Sequence, residues 1–237
     1  MNNFPIIGIC GKSGSGKSAL SNIIAVQGKT QQIALADPIK RFLRNAFDIP
    51  YHYLWGESNK RNELINKWRT LRENVVDSRS AQHIRCLAES IGVKSDFIYQ
   101  WVVKTAKEPS VSARFLLTNL GTDHVRKQDP DAWIDLCLKI SMDCLAGGLE
   151  YLPEMGPVLD SSGKCDRVLI TDVRFRNEAL GILKVGGSLV KINRSSGFGS
   201  TTPKHSSEDL DIPNGWFYET IENNGSLEDL AGQAKYL

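Results

Sequence analysis

The sequence predicts an α/β fold, a parallel sheet of about five strands flanked by helices, with an inserted helical lobe. Two patterns carry this expectation. Short apolar runs alternate with helically spaced segments in the first fifty residues and again in the last seventy, and the stretch between them shows helical spacing without a strand signal. A length of 237 residues suits one core with an excursion better than several independent cores.

Pro5-Ile6-Ile7-Gly8-Ile9-Cys10 is a compact apolar run ahead of a glycine-rich turn, the pattern of a buried parallel strand. Lys17 to Val26 places Leu20, Ile23 and Ile24 on one face of a helix. Gln32 to Ala36 reads as a second strand, and Asp37-Pro38 opens a helix bearing Ile39, Phe42, Leu43 and Ala46 at helical spacing. The stretch from about 56 to 110, rich in Arg and Lys, forms the helical lobe, with the core in about 1–55 and 111–237. Helices are expected at roughly 111–120 and 130–146, the latter with Trp133, Leu136, Cys137, Ile140 and Cys144 on one face. Glycines and prolines make 147–166 a loop or a small hairpin. Arg167 to Thr171 is a strand, Asn177 to Val185 a helix ended by Gly186-Gly187, and Leu189 to Ile192 the next strand, joined by a right-handed crossover. The polar 194–213 segment is lid-like, Trp216 to Ile221 reads as the last strand, and Ser226 with Glu228 and Asp229 starts a terminal helix.

Composition narrows the function classes. With 29 Lys+Arg against 27 Asp+Glu, the net charge of +2 supplies no global field for nucleic acid or an anionic membrane. The five cysteines are odd in number and form no CxxC pair, which fits neither a disulfide framework nor a zinc knuckle and reads as reduced thiols in a cytoplasmic protein. The N-terminal apolar run ends at Lys12, far short of a membrane span.

The chemistry is concentrated first in Gly11-Lys12-Ser13-Gly14-Ser15-Gly16-Lys17-Ser18, a complete G-x-x-x-x-G-K-[ST] run between an expected strand and helix. In such a P-loop, backbone N–H groups converge on phosphate oxygens and the helix N-terminus adds its dipole. Lys17 is expected to reach the β- and γ-phosphates and Ser18 to ligate Mg²⁺, with Gly11, Ser13, Gly14, Ser15, Gly16 and Ala19 completing the nucleotide contacts. Asp172, closing a strand, is a second Mg²⁺ ligand or an N-cap. Arg174 and Glu178 grip and orient an acceptor phosphate, or form a solvated pair at i, i+4. Cys10 reads as packing. A guanine-reading T/N-K-x-D segment is not evident, which argues against a GTPase switch.

Several segments together resemble the phage-type deoxynucleoside monophosphate kinases: the P-loop, Leu35-Ala36-Asp37-Pro38-Ile39-Lys40, Tyr53-Leu54-Trp55-Gly56, and Leu120-Gly121-Thr122-Asp123…Arg126…Asp131-Ala132-Trp133. Thr171-Asp172-Val173-Arg174-Phe175-Arg176-Asn177-Glu178, His205-Ser206-Ser207-Glu208 and Asn223-Asn224-Gly225-Ser226-Leu227 extend the resemblance over most of the chain. It implies a P-loop nucleotide kinase fold and transfer of the ATP γ-phosphate, with Mg²⁺, to a deoxynucleoside 5′-monophosphate in the cytoplasm of an infected host. Lys17, Arg126, Asp172 and Arg174 are the implied catalytic residues. Acceptor binding is expected from Ile39, Lys40, Gly121, Thr122 and Arg126, with Arg69 and Arg72 weaker candidates in the lobe. Trp133 either stacks on the acceptor base or packs in the core. Arg194 and His205 bracket the lid-like segment, while Asn223 and Gly225 border the adenine or form a helix-entry turn. The partners implied are ATP and a deoxynucleoside monophosphate, not nucleic acid or membrane, with a homodimer as the expected assembly. A kinase of another small acceptor, of the dephospho-coenzyme A or nucleoside type, and a non-catalytic ATP-binding module are the alternatives.

Overall fold

The N-terminal apolar run forms β1 (Ile6–Cys10), buried at all five positions, in a computed structural model that describes residues 4–12, 14–57, 59–65, 78–108, 110–160, 165–195, 210–235 and 237. After the glycine turn comes α1 (Lys17–Ala25), which buries Leu20 and Ile24. β2 (Thr30–Ala34) starts and ends two residues before the expected strand. The helix after it is the cause: Pro38 in the first turn starts α2 (Asp37–Phe47), and the N-cap residue Ala36 already has helical φ and ψ, so Leu35 and Ala36 leave the sheet. α2 buries Ile39, Phe42, Leu43 and Ala46, as its spacing predicts.

The next described elements are α3 (Tyr51–Leu54), a 3₁₀ turn at Lys60–Asn62, α4 (Ser78–Ser90) and α5 (Ser95–Thr105). An isolated antiparallel bridge joins Leu64 to Ser112. α6 (Ala113–Thr118) does not stop near 120 but continues through a π-helical segment, Asn119–Val125, into α7 (Arg126–Gln128). α8 (Ala132–Ala146) buries Trp133, Cys137, Ile140 and Cys144 on the expected face. In the glycine- and proline-rich stretch, β3 (Leu149–Leu152) and β4 (Gly156–Leu159) pair antiparallel, so the hairpin reading is the one present.

β5 (Arg167–Val173) runs two residues past the expected end, and α9 (Arg176–Lys184) and β6 (Ser188–Asn193) come next. The last strand, β7 (Glu219–Glu222), begins later than Trp216, which lies in a 3₁₀ turn, Asn214–Trp216, closed by its N–H on the Pro213 carbonyl at 3.0 Å. α10 (Leu227–Ala234) is capped at Ser226: its hydroxyl accepts from Asp229 N–H at 3.2 Å, and the Asp229 carboxylate accepts from Ser226 N–H at 2.8 Å.

The five strands pair in parallel in the order β2-β5-β1-β6-β7. Period-two alternation divides β1 between two faces. Ile7 and Ile9 pack with Leu20 and Ile24 of α1 and with Leu230 and Ala234 of α10. Gly8 faces the other way, and a Cβ there would lie 2.7 Å from Ile182 Cδ1 of α9. A glycine at this position lets α9 settle against the sheet, so helices flank both faces.

The chain divides into two compact units, Met1–Leu35 with Cys137–Leu237, and Ala36–Leu136. The first holds the parallel sheet and the hairpin. In the second, α2 and α4 are tied by Ser80 Oγ donating to Ala46 O at 2.8 Å, and Phe42 meets Trp101 of α5 with ring centroids 6.4 Å apart. Among the described residues no helix is long and apolar enough to cross a membrane.

Candidate functional site

In the sheet-bearing unit, the glycine-rich loop joins the C-terminal end of β1 to α1, where unbonded N–H groups of the first helical turn are concentrated. Gly16 is the α1 N-cap with φ 102°, a left-handed backbone that a side chain resists. Gly11 is buried, Gly14 and Ser18 are exposed, and Ala19 packs partly against the core. Ser15 is 4% exposed, and its hydroxyl has no hydrogen-bond partner among the described residues. Ser13 lies outside the described residues.

Lys17 folds across this loop. Its ammonium donates to the carbonyls of Gly11 at 2.9 Å and Lys12 at 3.0 Å and stands 3.7 Å from Asp172 Oδ1. Burial lowers its pKa, the Asp172 carboxylate opposes that shift, and the Arg174 guanidinium reinforces it. The same Oδ1 lies 3.7 Å from Arg174 Nη2, so one half-exposed carboxylate oxygen faces two cations.

Asp172 reaches this place through a register slip. Gly8 pairs with Ile170 and Cys10 with Val173, so β5 carries one more residue than β1 over this span. Asp172 within that bulge has φ 66°, a conformation that aspartate tolerates better than most residues. Strained backbone of this kind gathers at functional sites. The N-cap of α9 is Phe175, not Asp172. Glu178, 4% exposed, serves that helix start by accepting from the N–H groups of Arg174 at 2.8 Å and Phe175 at 3.0 Å. Cys10 is fully buried, and burial, aided by the Glu178 charge, pushes its thiol up to about 12, consistent with a packing role.

The remaining acceptor candidates belong to the second unit. Lys40 is buried at 8% exposure rather than a surface charge. It donates to Asp37 Oδ1 at 3.0 Å, and Trp55 Nε1 donates to the same oxygen at 3.3 Å. Ile39 is buried, with its Cδ1 close against Gly121. Trp133 is 4% exposed and donates from its indole N–H to Gly121 O at 3.0 Å. A ring so enclosed is a core ring, and the open face that base stacking needs is lacking in this arrangement. Thr122 is half-buried in the π-helical segment, and Arg126 donates to Pro130 O at 3.1 Å.

Sequence reasoning missed two features. Asp37 is an anchor for both Lys40 and Trp55, so it joins the Asp37-Pro38-Ile39-Lys40 segment to Leu54-Trp55-Gly56. Asn223 donates from Nδ2 to Ser15 O at 2.9 Å, which makes it a support of the glycine-rich loop. Arg194 and Gly225 are exposed. Arg69, Arg72 and His205 lie outside the described residues, with most of the lid-like segment. Among the described residues, no group of three or more His, Cys, Asp or Glu converges as a metal cluster. No protein-family model matches the chain, and no curated protein matches it.

Proposed function

We propose that the chain is a P-loop phosphotransferase that moves the γ-phosphate of ATP to a deoxynucleoside 5′-monophosphate, giving the diphosphate for DNA precursor supply. The observation that carries this reading is the meeting, at the β1–α1 turn, of the complete loop motif with Lys17, Asp172 and Arg174. An acceptor phosphate oxygen attacks the γ-phosphorus while the bond to the β,γ-bridging oxygen breaks and ADP leaves. Such a reaction asks the protein for cations and positioning more than for covalent chemistry. The loop N–H groups and Lys17 hold the β- and γ-phosphates, and the buried hydroxyl of Ser15, without a partner among the described residues, is a further donor within the cradle. Arg174 meets the transferred or accepting phosphate, with Asp172 steadying the guanidinium.

The Ser18 hydroxyl and the half-exposed Asp172 carboxylate are oxygen donors of the kind Mg²⁺ takes when most of its shell is water and phosphate. An Mg²⁺ ion held by Ser18 and Asp172 would supply neutralisation of the negative charge on the phosphates. Lys40, Gly121, Thr122 and Arg126 are assigned to the acceptor on the resemblance to phage-type deoxynucleoside monophosphate kinases, which also underlies the finer reading of a nucleotide kinase fold acting in a host cytoplasm.

The test is a coupled ADP-release assay with ATP–Mg²⁺ and each deoxynucleoside and ribonucleoside monophosphate, beside Lys17→Ala. Acceptor-dependent turnover that Lys17→Ala abolishes supports the reading. ATP binding with no turnover on any nucleotide overturns the acceptor class and directs the search to dephospho-coenzyme A or nucleosides.

A further inference from the structure

Asn223 stands immediately after β7, and its backbone N–H donates to Asn193 O at 2.8 Å, so the β6–β7 pairing fixes where its side chain starts. That side chain is 7% exposed and turns toward the glycine-rich loop, where Nδ2 donates to the Ser15 carbonyl. The same nitrogen lies so close to Gly16 that a Cβ there would overlap it. In a trans peptide the carbonyl oxygen and the following N–H share one plane and point in opposite directions. Anchoring Ser15 O on Asn223 therefore aims the Gly16 N–H away from Asn223, at the turn where α1 begins.

We propose that Asn223 is a positioning residue for phosphate binding, acting through the Ser15–Gly16 peptide rather than by touching the nucleotide base. The inference rests on the nucleotide-binding reading above and adds to it a base-independent contribution from the far end of the chain. An isolated helix-entry role would stabilise α10 without altering anion affinity. A base contact would alter ATP affinity and spare a ligand that has no base.

The experiment uses Asn223→Ala and Asn223→Asp in the full chain, with calorimetric titration of ATP–Mg²⁺ and of inorganic tripolyphosphate–Mg²⁺ well below the melting temperature of each variant. Circular dichroism establishes that each is folded. The expected result for Asn223→Ala is a loss of about tenfold for both ligands by the same factor, the scale of one net hydrogen bond. In Asn223→Asp an ionised carboxylate repels the Ser15 carbonyl, whereas a protonated one donates to it. Its affinity relative to wild type therefore recovers as pH falls from about 8 toward about 5, while the Asn223→Ala ratio stays level. Unchanged tripolyphosphate affinity in Asn223→Ala overturns this inference alone, with or without a loss of ATP affinity. A wild-type chain that binds neither ligand overturns the nucleotide-binding reading together with it.

Discussion

The amide of Asn223 donates to the carbonyl of Ser15 at 2.9 Å across 208 residues of chain, tying the end of the last strand to the loop after the first. The same amide fills the space beside Gly16. Two glycines of the loop are thereby placed in different situations. Gly14 has φ 77° with open space around it, whereas Gly16 has φ 102° and a neighbour.

Alanine substitution separates the two effects. Gly14→Ala meets backbone strain alone and should cost about 1–2 kcal/mol. Gly16→Ala meets strain and overlap with a buried amide, and should cost at least about 2 kcal/mol more than the surface-mutation scale of ~0.5 kcal/mol. Urea unfolding of both variants checks the order. Equal losses would mean that Asn223 yields freely and does not brace the loop.

Lys17 holds a charge in a place that disfavours it. Burial lowers its pKa in the folded chain, so between that lowered value and the ordinary lysine value of about 10.4 the unfolded chain binds more protons than the folded one. Stability attributable to this group therefore rises with pH across that alkaline window and is lowest below the folded pKa. Lys17→Met removes the ammonium and should remove this rise, while abolishing phosphate transfer. Unfolding free energies measured at several alkaline pH values, compared between wild type and Lys17→Met, test the sign. A wild-type slope identical to that of the variant would contradict it.

Asp172 combines a left-handed backbone with a carboxylate facing Lys17 and Arg174. Asparagine tolerates that backbone and removes the charge; alanine meets neither demand. Asp172→Asn is expected to keep its melting temperature near wild type and to lose turnover on the order of 100-fold, with a raised Mg²⁺ requirement. Asp172→Ala should lose as much activity and about 1–2 kcal/mol of stability besides. Full activity in Asp172→Asn would remove the residue from the catalytic set.

These features mark how far the sequence could be read. The alternation of apolar strands and amphipathic helices is local, and so is the G-x-x-x-x-G-K-[ST] run, whose residues are contiguous and fall at the β1–α1 turn. The two-residue displacement of β2 and the late start of β7 come from turns set by Pro38 and Pro213, which apolarity alone does not register. The π-helical continuation through Asn119–Val125 carries no periodic signature that distinguishes it from an α-helix ending early. The φ of Asp172 depends on a slip between β1 and β5, and the Asn223–Ser15 bond depends on strand order. Both are products of pairing between distant segments, invisible to spacing along the chain.

Trp133 shows the same limit from the side of burial, since an amphipathic position with an aromatic residue suits both a core and a stacking surface. The enclosed ring and its bond to Gly121 O lead to a definite expectation. Trp133→Phe retains a ring and removes the indole donor, leaving the Gly121 carbonyl with the Arg126 N–H as its remaining donor, at the cost of one net hydrogen bond, about 1 kcal/mol. Because the change acts on packing, the KM for each deoxynucleoside monophosphate should stay near wild type, whatever the base. Chemical unfolding and acceptor titrations with a purine and a pyrimidine nucleotide measure the two parts. A KM increase that differs between the two bases, with stability unchanged, would return Trp133 to the acceptor site, because stacking energy depends on the base and core packing does not.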